Sequence, residues 1–303
     1  MSKKLKIRGI KWIDGVDLDK AEVYKVLNKY DFHELDIDAC LEENQTARID
    51  VYEDYVFIIL HFPRYNTNTK RYELNEFNIF LGRDVLITLR SFEVSRIDAI
   101  FQKYEKQDLE DNQNLKLTAG YILYEVIQAM LEKMFTVTYR IRTDIRGLES
   151  QVFDHATENL VKEIMIKKRN IVTLKHMFTP QTHVFTSMEN SINTLYKGEM
   201  EVYFEDLEDK LGHIVNNIRV LEEYIESVED AFKTIIDIKT NTTIKLLTIF
   251  SAFILPLTLI TSFYGMNISL PYQSDSYLVY AMLTACMALM GLILIYFKKS
   301  GKL

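Results

Sequence analysis

Two cysteines, four prolines and a single tryptophan in 303 residues close off several common kinds of protein. Cys40 lies in a charged region and Cys286 inside a long apolar run, so neither a disulfide framework nor a cysteine-based zinc site is expected. Basic charge is also short. The 36 Lys and Arg against 43 Asp and Glu give a formal charge of -7. That balance argues against nucleic acid as a partner, because such binding relies on basic surface to displace counterions. The lysines of MSKKLKIRGIKW are followed by no apolar core, so a cleaved signal peptide is not expected. Enzyme signatures are missing as well: His155, His176, His183 and His213 are scattered along helical patterns without HExxH, and neither a Walker A loop nor GxSxG occurs. No catalytic residue is assigned.

What is present is concentrated at the end of the chain. Residues 246–263 read LLTIFSAFILPLTLITSF and residues 277–297 read YLVYAMLTACMALMGLILIYF. Each is about the length a helix needs to cross a bilayer. Lys239 and Lys245 precede the first run, Lys298, Lys299 and Lys302 follow the second, and residues 268–276 between them hold no Lys or Arg. The positive-inside rule therefore places both termini in the cytoplasm and the short loop outside. The expected location is the cell (inner or plasma) membrane.

Upstream, residues 1–110 read as a mixed α/β domain. Residues 7–13 are strand-like, 17–30 helical, and 55–62, 72–81 and 85–89 are β-rich, with NTNTK at 66–70 marking a hairpin turn. Residues 95–105 suggest a short helix. Residues 111–245 are expected to form a long-helix bundle and stalk. Apolar residues recur at helical spacing over 117–150 and 156–179, Pro180 ends or kinks that helix, and Gly198 precedes the longest one. The remaining boundaries are 246–267 for the first spanning helix, 268–276 for the outer loop, 277–297 for the second span and 298–303 for a basic tail. The fold class is thus α+β, with a sheet and long helices followed by a stalk and a two-helix membrane hairpin.

Two spans cannot wall a pore, so conduction would require several copies around an axis. Asn241, Thr248, Ser251, Thr258 and Ser262 fall within roughly a third of the helical wheel, together with Ile244 and Leu255 and bordered by Leu247. Ser and Thr in spanning helices also bond to their own backbone or join helices together, so the stripe alone leaves both readings open. No Asp, Glu, Lys, Arg or His lies between Lys245 and Asp275. An ion on this path meets neutral oxygens, which suits one that keeps its water shell, as Mg2+ does.

The segment KLLTIFSAFILPLTLITSFYGMN at 245–267 closely resembles the first spanning helix of the CorA metal-ion transporter family, whose hallmark is Gly-Met-Asn at that helix's outer end. Trp12-Ile13-Asp14, the strand at 55–60, and Tyr203-Phe204-Glu205-Asp206 with Asp209 are similar to further family segments. The resemblance implies a homopentameric channel with a funnel-shaped cytosolic domain. In it Asn267 forms the outer carbonyl ring for a hydrated ion, Gly265 and Met266 shape the turn, and Tyr264 packs at the interface. Thr258 and Asn241 match polar pore positions, with Ser251 on the same stripe. Leu247, Ile244 and Leu255 stand at the apolar gate. The resemblance further implies regulatory Mg2+ held between cytosolic domains by Asp206 and Asp209 against Asp38 or Asp36. Ala39 replaces an acid that family members often carry, and Asp275 is the outer loop's only acid. The implied function is Mg2+ uptake, with Co2+ or Ni2+ as further cargo. A ZntB-like branch that moves Zn2+ with protons, and a non-conducting membrane-tethered sensor, are the alternatives.

Overall fold

The computed structural model describes residues 2–42, 45–107, 117–154, 157–267 and 276–299. The outer loop with Asp275, His155, and the end of the tail with Lys302 lie outside them. The chain divides into two compact units, Met1–Glu229 and Asp230–Leu303.

The first unit is built on a six-stranded mixed sheet. Its strands are β1 (Ser2–Ile7), β2 (Ile10–Val16), β3 (Arg48–Val51), β4 (Tyr55–Asn66), β5 (Arg71–Gly82) and β6 (Val85–Arg90), in the order β1-β2-β6-β5-β4-β3. Only β2 and β6 run parallel. The single strand expected at 7–13 is in fact the junction of two. Arg8 and Gly9 both take positive φ (48° and 90°) and turn the chain back on itself, the geometry of a two-residue hairpin. The hairpin expected around NTNTK is present, with Asn66 Oδ1 accepting from the Asn68 and Thr69 N–H groups.

Helices α1 (Lys20–Leu27) and α2 (Glu34–Ala39) cover one face of the sheet. Asp19 and Glu22 close a reciprocal capping box at the start of α1. Val23, Val26, Leu27 and Ile37 pack there against Ile13, Phe57, Ile59, Phe80, Ile87 and Leu89. The other face is covered by α3 (Ser95–Gln107), α4 (Ala119–Asp154), α5 (Glu158–Phe178) and α6 (Gln181–Leu195). Trp12 packs on Phe101 at 5.0 Å and Phe62 on Phe178 at 6.4 Å. Because both faces are covered, YVFIILHF is buried throughout and its apolar residues do not alternate with polar ones.

Pro180 separates α5 from α6. Gly198, at φ 84°, ends the next turn, with its N–H donating to Asn193 O at 2.8 Å. The long helix α7 (Glu201–Tyr264) follows. In the first unit α7 buries Phe204, Leu207, Leu211, Ile214, Ile218, Leu221, Ile225 and Val228, a stripe of threes, fours and sevens.

Two polar inserts fix this core. Arg90 and Asp14, 1% and 0% exposed, pair through Nη2 to Oδ2 at 2.7 Å and Nε to Oδ1 at 3.2 Å. Thr88 also donates to Asp14 Oδ1 (2.8 Å), and Trp12 Nε1 donates to Thr88 (3.2 Å). Past the end of β3, the exposed edge of β4 is taken up by Gln181. Its Oε1 accepts from the His61 N–H (2.9 Å) and its Nε2 donates to the His61 carbonyl (3.0 Å).

The second unit contains the last part of α7 and α8 (Ser276–Lys299). Among its described residues no side chain is buried. Among the described residues one helix, α7, is long and apolar enough to cross a membrane, with a mean hydropathy of 2.1 over a window none of which is buried. The apolar part of α8, Tyr277–Ile293, is shorter. Predominantly apolar helices with this little of their surface covered require lipid or further copies as surroundings.

Candidate functional site

Asn241, Thr248, Ser251, Thr258 and Ser262 all lie on α7 with exposed side chains, and so do Ile244, Leu247 and Leu255. They form one continuous face because the helix does not break at Pro256. The threonines use their hydroxyl protons within the helix: Thr248 donates to Ile244 O and Thr258 to Ile254 O, both at 2.8 Å. Their oxygen lone pairs point outward from those bonds, so the face offers acceptors to whatever it meets. A shallow hollow lies along it, lined by Leu255, Pro256, Thr258, Leu259 and Ser262.

The signature tetrapeptide terminates α7. Gly265 N–H donates to Thr261 O at 2.9 Å, and Met266 N–H to Phe263 O at 3.4 Å, which tightens the last turn. A Cβ at position 265 would stand 2.9 Å from the Thr261 carbonyl oxygen, a backbone atom that cannot swing aside. Glycine is therefore a steric requirement of this helix end. Met266 and Asn267 are exposed beyond it. The Tyr264 hydroxyl lies 3.7 Å from Met282 Sδ of α8, and this contact joins the two helices of the unit.

The four candidate regulatory acids do not share one environment. Asp36 is 1% exposed and accepts hydrogen bonds from Tyr55 (2.8 Å) and Tyr52 (3.3 Å). Burial raises its pKa, and the two tyrosine bonds only partly offset that. The carboxylate is thus committed inside the domain and does not fit a metal site. Asp38, two residues on, is exposed. Asp206 accepts from Tyr124 (3.0 Å) and pairs with Lys210, whereas Asp209 is exposed. Among the described residues no group of three or more His, Cys, Asp or Glu side chains is placed to hold a metal.

Residues 199–230 hold eleven acids and two bases, but this face is less negative in place than it reads. Lys168 of α5 pairs with Glu229 (2.8 Å) and Glu226 (3.6 Å), and Lys175 with Glu222 (2.6 Å). Acids also cluster near the start of α7. There burial and then the neighbouring Glu208, Glu205 and Glu201 raise the pKa of Glu189 on α6. The Asp206–Lys210 pair was legible as an i, i+4 spacing. The tyrosine partners and the α5 lysines come from distant segments and left no local signal.

Residues 8–299 match the family model described as CorA-like Mg2+ transporter protein. The cobalt/magnesium transport protein CorA of Thermotoga maritima is 25% identical over 292 residues, covering 95% of this chain and 82% of that protein. A more distant relative is the zinc transport protein ZntB of Photorhabdus laumondii, 20% identical over 222 residues, covering 73% of this chain and 65% of that protein. Among solved structures, the complete CorA magnesium transporter of Methanocaldococcus jannaschii superposes with a TM-score of 0.79 at 19% identity, covering 95% of this chain and 89% of that one.

Proposed function

The chain belongs to the family of CorA-like Mg2+ transporter proteins, and on that premise we propose that it carries Mg2+ into the cell through a pore built by five copies. It is a divalent-cation transporter of that family and not an enzyme. The observation that carries the finer reading is the exposed face of neutral oxygens on α7, ending in Tyr264-Gly265-Met266-Asn267. Such a face fits a shared water-filled axis. Asn267 receives the hydrated ion at the outer end, while Ser251, Thr258 and Asn241 offer oxygens along the path. Ile244, Leu247 and Leu255 form the apolar constriction, which closes by dewetting. Both termini stay in the cytoplasm in this arrangement.

Regulation follows from the surface acids. Asp38 and Asp209, both exposed, are the residues that fit a Mg2+ ion bridging neighbouring subunits, with Asp206 beside them already partly neutralised by Lys210. Bound Mg2+ holds the closed state, and its loss lets the acidic faces separate. The Zn2+-carrying relative supports a second reading, in which Zn2+, Co2+ or Ni2+ is preferred and protons move with it. Metal uptake by liposomes holding the purified chain tests both. Mg2+ influx without a pH gradient is the expected result. Zn2+ uptake that depends on a pH gradient would replace it with the second reading, and no metal flux from a correctly assembled oligomer would overturn both.

A further inference from the structure

One cavity is lined by none of the residues assigned above to conduction or metal binding. It lies within the first unit, has a volume of about 440 Å³, and is walled by the outer half of the β4–β5 hairpin, the segment before α3, and residues of α4 and α5. The hairpin overshoots its sheet. β4 and β5 stay paired out to Asn66 and Arg71, whereas β6 pairs with β5 only between Phe77 and Leu81. A two-stranded ribbon of this kind is marginal by itself. Here it is fastened by Asn170 of α5, a side chain 4% exposed. Asn170 Nδ2 donates to Lys70 O at 2.9 Å, and its Oδ1 accepts from the Tyr72 N–H at 3.4 Å. The clamp makes the ribbon a fixed wall of the cavity.

The lining is at odds with an acidic chain. Arg64, Lys133, Arg140 and Lys167 stand there against only Glu93 and Asp144. Lys167 is paired with Asp144. Arg64, Lys133 and Arg140 make no ion pair among the described residues, so these three exposed cations line the space against Glu93 alone and leave it net positive. Aromatic surface accompanies them. Tyr65 and Tyr72 are direct cross-strand partners with ring centroids 5.1 Å apart, and Tyr65 remains 45% exposed. Burial, with help from Tyr65 and Asp144 and against the Arg140 charge, pushes the Tyr72 hydroxyl up to about 12, so it stays a donor at neutral pH.

We propose that this cavity binds a nucleoside phosphate, with the flat base against the Tyr65–Tyr72 pair and the phosphates on Arg64, Lys133 and Arg140. Its volume is in the range of small-molecule sites, roughly 300–1,000 Å³. Guanidinium forks suit phosphate oxygens, and ring faces stack on bases without sequence readout. A bare phosphate would leave the rings unused, and a neutral aromatic would leave the charges unmatched. This basic face is concave, and the buried Asn170 fixes one of its walls.

The test is calorimetric titration of the full-length protein in detergent with ATP in excess EDTA, so that no metal bridges the contact. Parallel titrations use inorganic triphosphate and adenosine. The expected result is saturable ATP binding, weakened about tenfold or more by Arg140→Ala, by Lys133→Ala and by Tyr65→Ala. Triphosphate and adenosine should each bind at least about tenfold more weakly than ATP. Thermal melting of each variant verifies that the fold is kept, and Lys162→Ala, on α5 away from the cavity, should bind like the parent. Absence of saturable binding at about millimolar ATP, folded variants that bind as the parent does, or triphosphate equal to ATP would overturn the proposal.

Discussion

Replacing Asp14 by alanine should be among the most damaging single changes to the first unit. The substitution removes both oxygens that neutralise Arg90, a guanidinium 1% exposed, and leaves the Thr88 hydroxyl without its acceptor. Arg90 keeps Asp98 at 3.1 Å and the Phe92 carbonyl at 2.8 Å, which is too little to satisfy a buried cation. Breaking a buried pair on one side costs about 3–5 kcal/mol. For a domain of this size that corresponds to a melting temperature lower by roughly 6–20 °C. The assay is thermal unfolding followed by tryptophan emission. Trp12 is the chain's only tryptophan, is wholly buried, and bonds to Thr88 within the same network. Asp14→Asn keeps one acceptor oxygen and should lose about half as much as the alanine variant. Lys3→Ala breaks only the half-exposed pair to Asp98 and should cost at most about 1 kcal/mol. A shift below about 2 °C for Asp14→Ala would refute the assignment of this pair as a constraint on the fold.

Gln181→Leu strands the His61 N–H and C=O at the edge of β4, and denaturant unfolding should show a loss of about 1–3 kcal/mol. Gly265→Ala forces a contact with the Thr261 carbonyl; metal flux in liposomes should fall about tenfold or more while the Trp12 melting curve stays in place. Burial lowers the pKa of His61, so the folded state holds fewer protons than the unfolded one in mildly acid solution. Its contribution is fully present above the ordinary histidine value of about 6.5 and is lost as pH falls from there through the lower folded value. Melting temperatures measured from pH 7 to pH 5 should decline, and His61→Gln should flatten that decline.

The long elements were readable because their signals are local. Pro180 and Gly198 punctuate the helices where the backbone changes direction, and the apolar stripe from Phe204 to Val228 repeats over many turns. The 55–62 run is strand-like because β-rich residues outnumber polar ones and both faces of the sheet are covered. Short elements gave no such signal. The Arg8–Gly9 turn places an arginine at φ 48°, which sequence statistics disfavour. Strand β3 spans only four residues, and α2 only six, with His33 Nδ1 as the unusual cap acceptor for Leu35 N–H. At the candidate site, the face of α7 follows from spacing alone. The commitment of Asp36 to Tyr52 and Tyr55 depends on a tertiary meeting of α2 with the turn before β4, and so does the pairing of Lys168 and Lys175 with α7.

Thiol blocking of metal flux tests the conducting face most directly. In a chain with Cys40 and Cys286 replaced by serine, single cysteines are introduced as Ser251→Cys, Thr258→Cys and, on the opposite side of α7, Phe253→Cys. Liposomes holding each variant are treated with a charged, membrane-impermeant thiol reagent, and Mg2+ influx is recorded. Reaction at 251 and 258 that stops influx, with Phe253→Cys unaffected, is the result this account predicts. Block at 253 with 251 and 258 unreactive would place the oxygen face in lipid and contradict it.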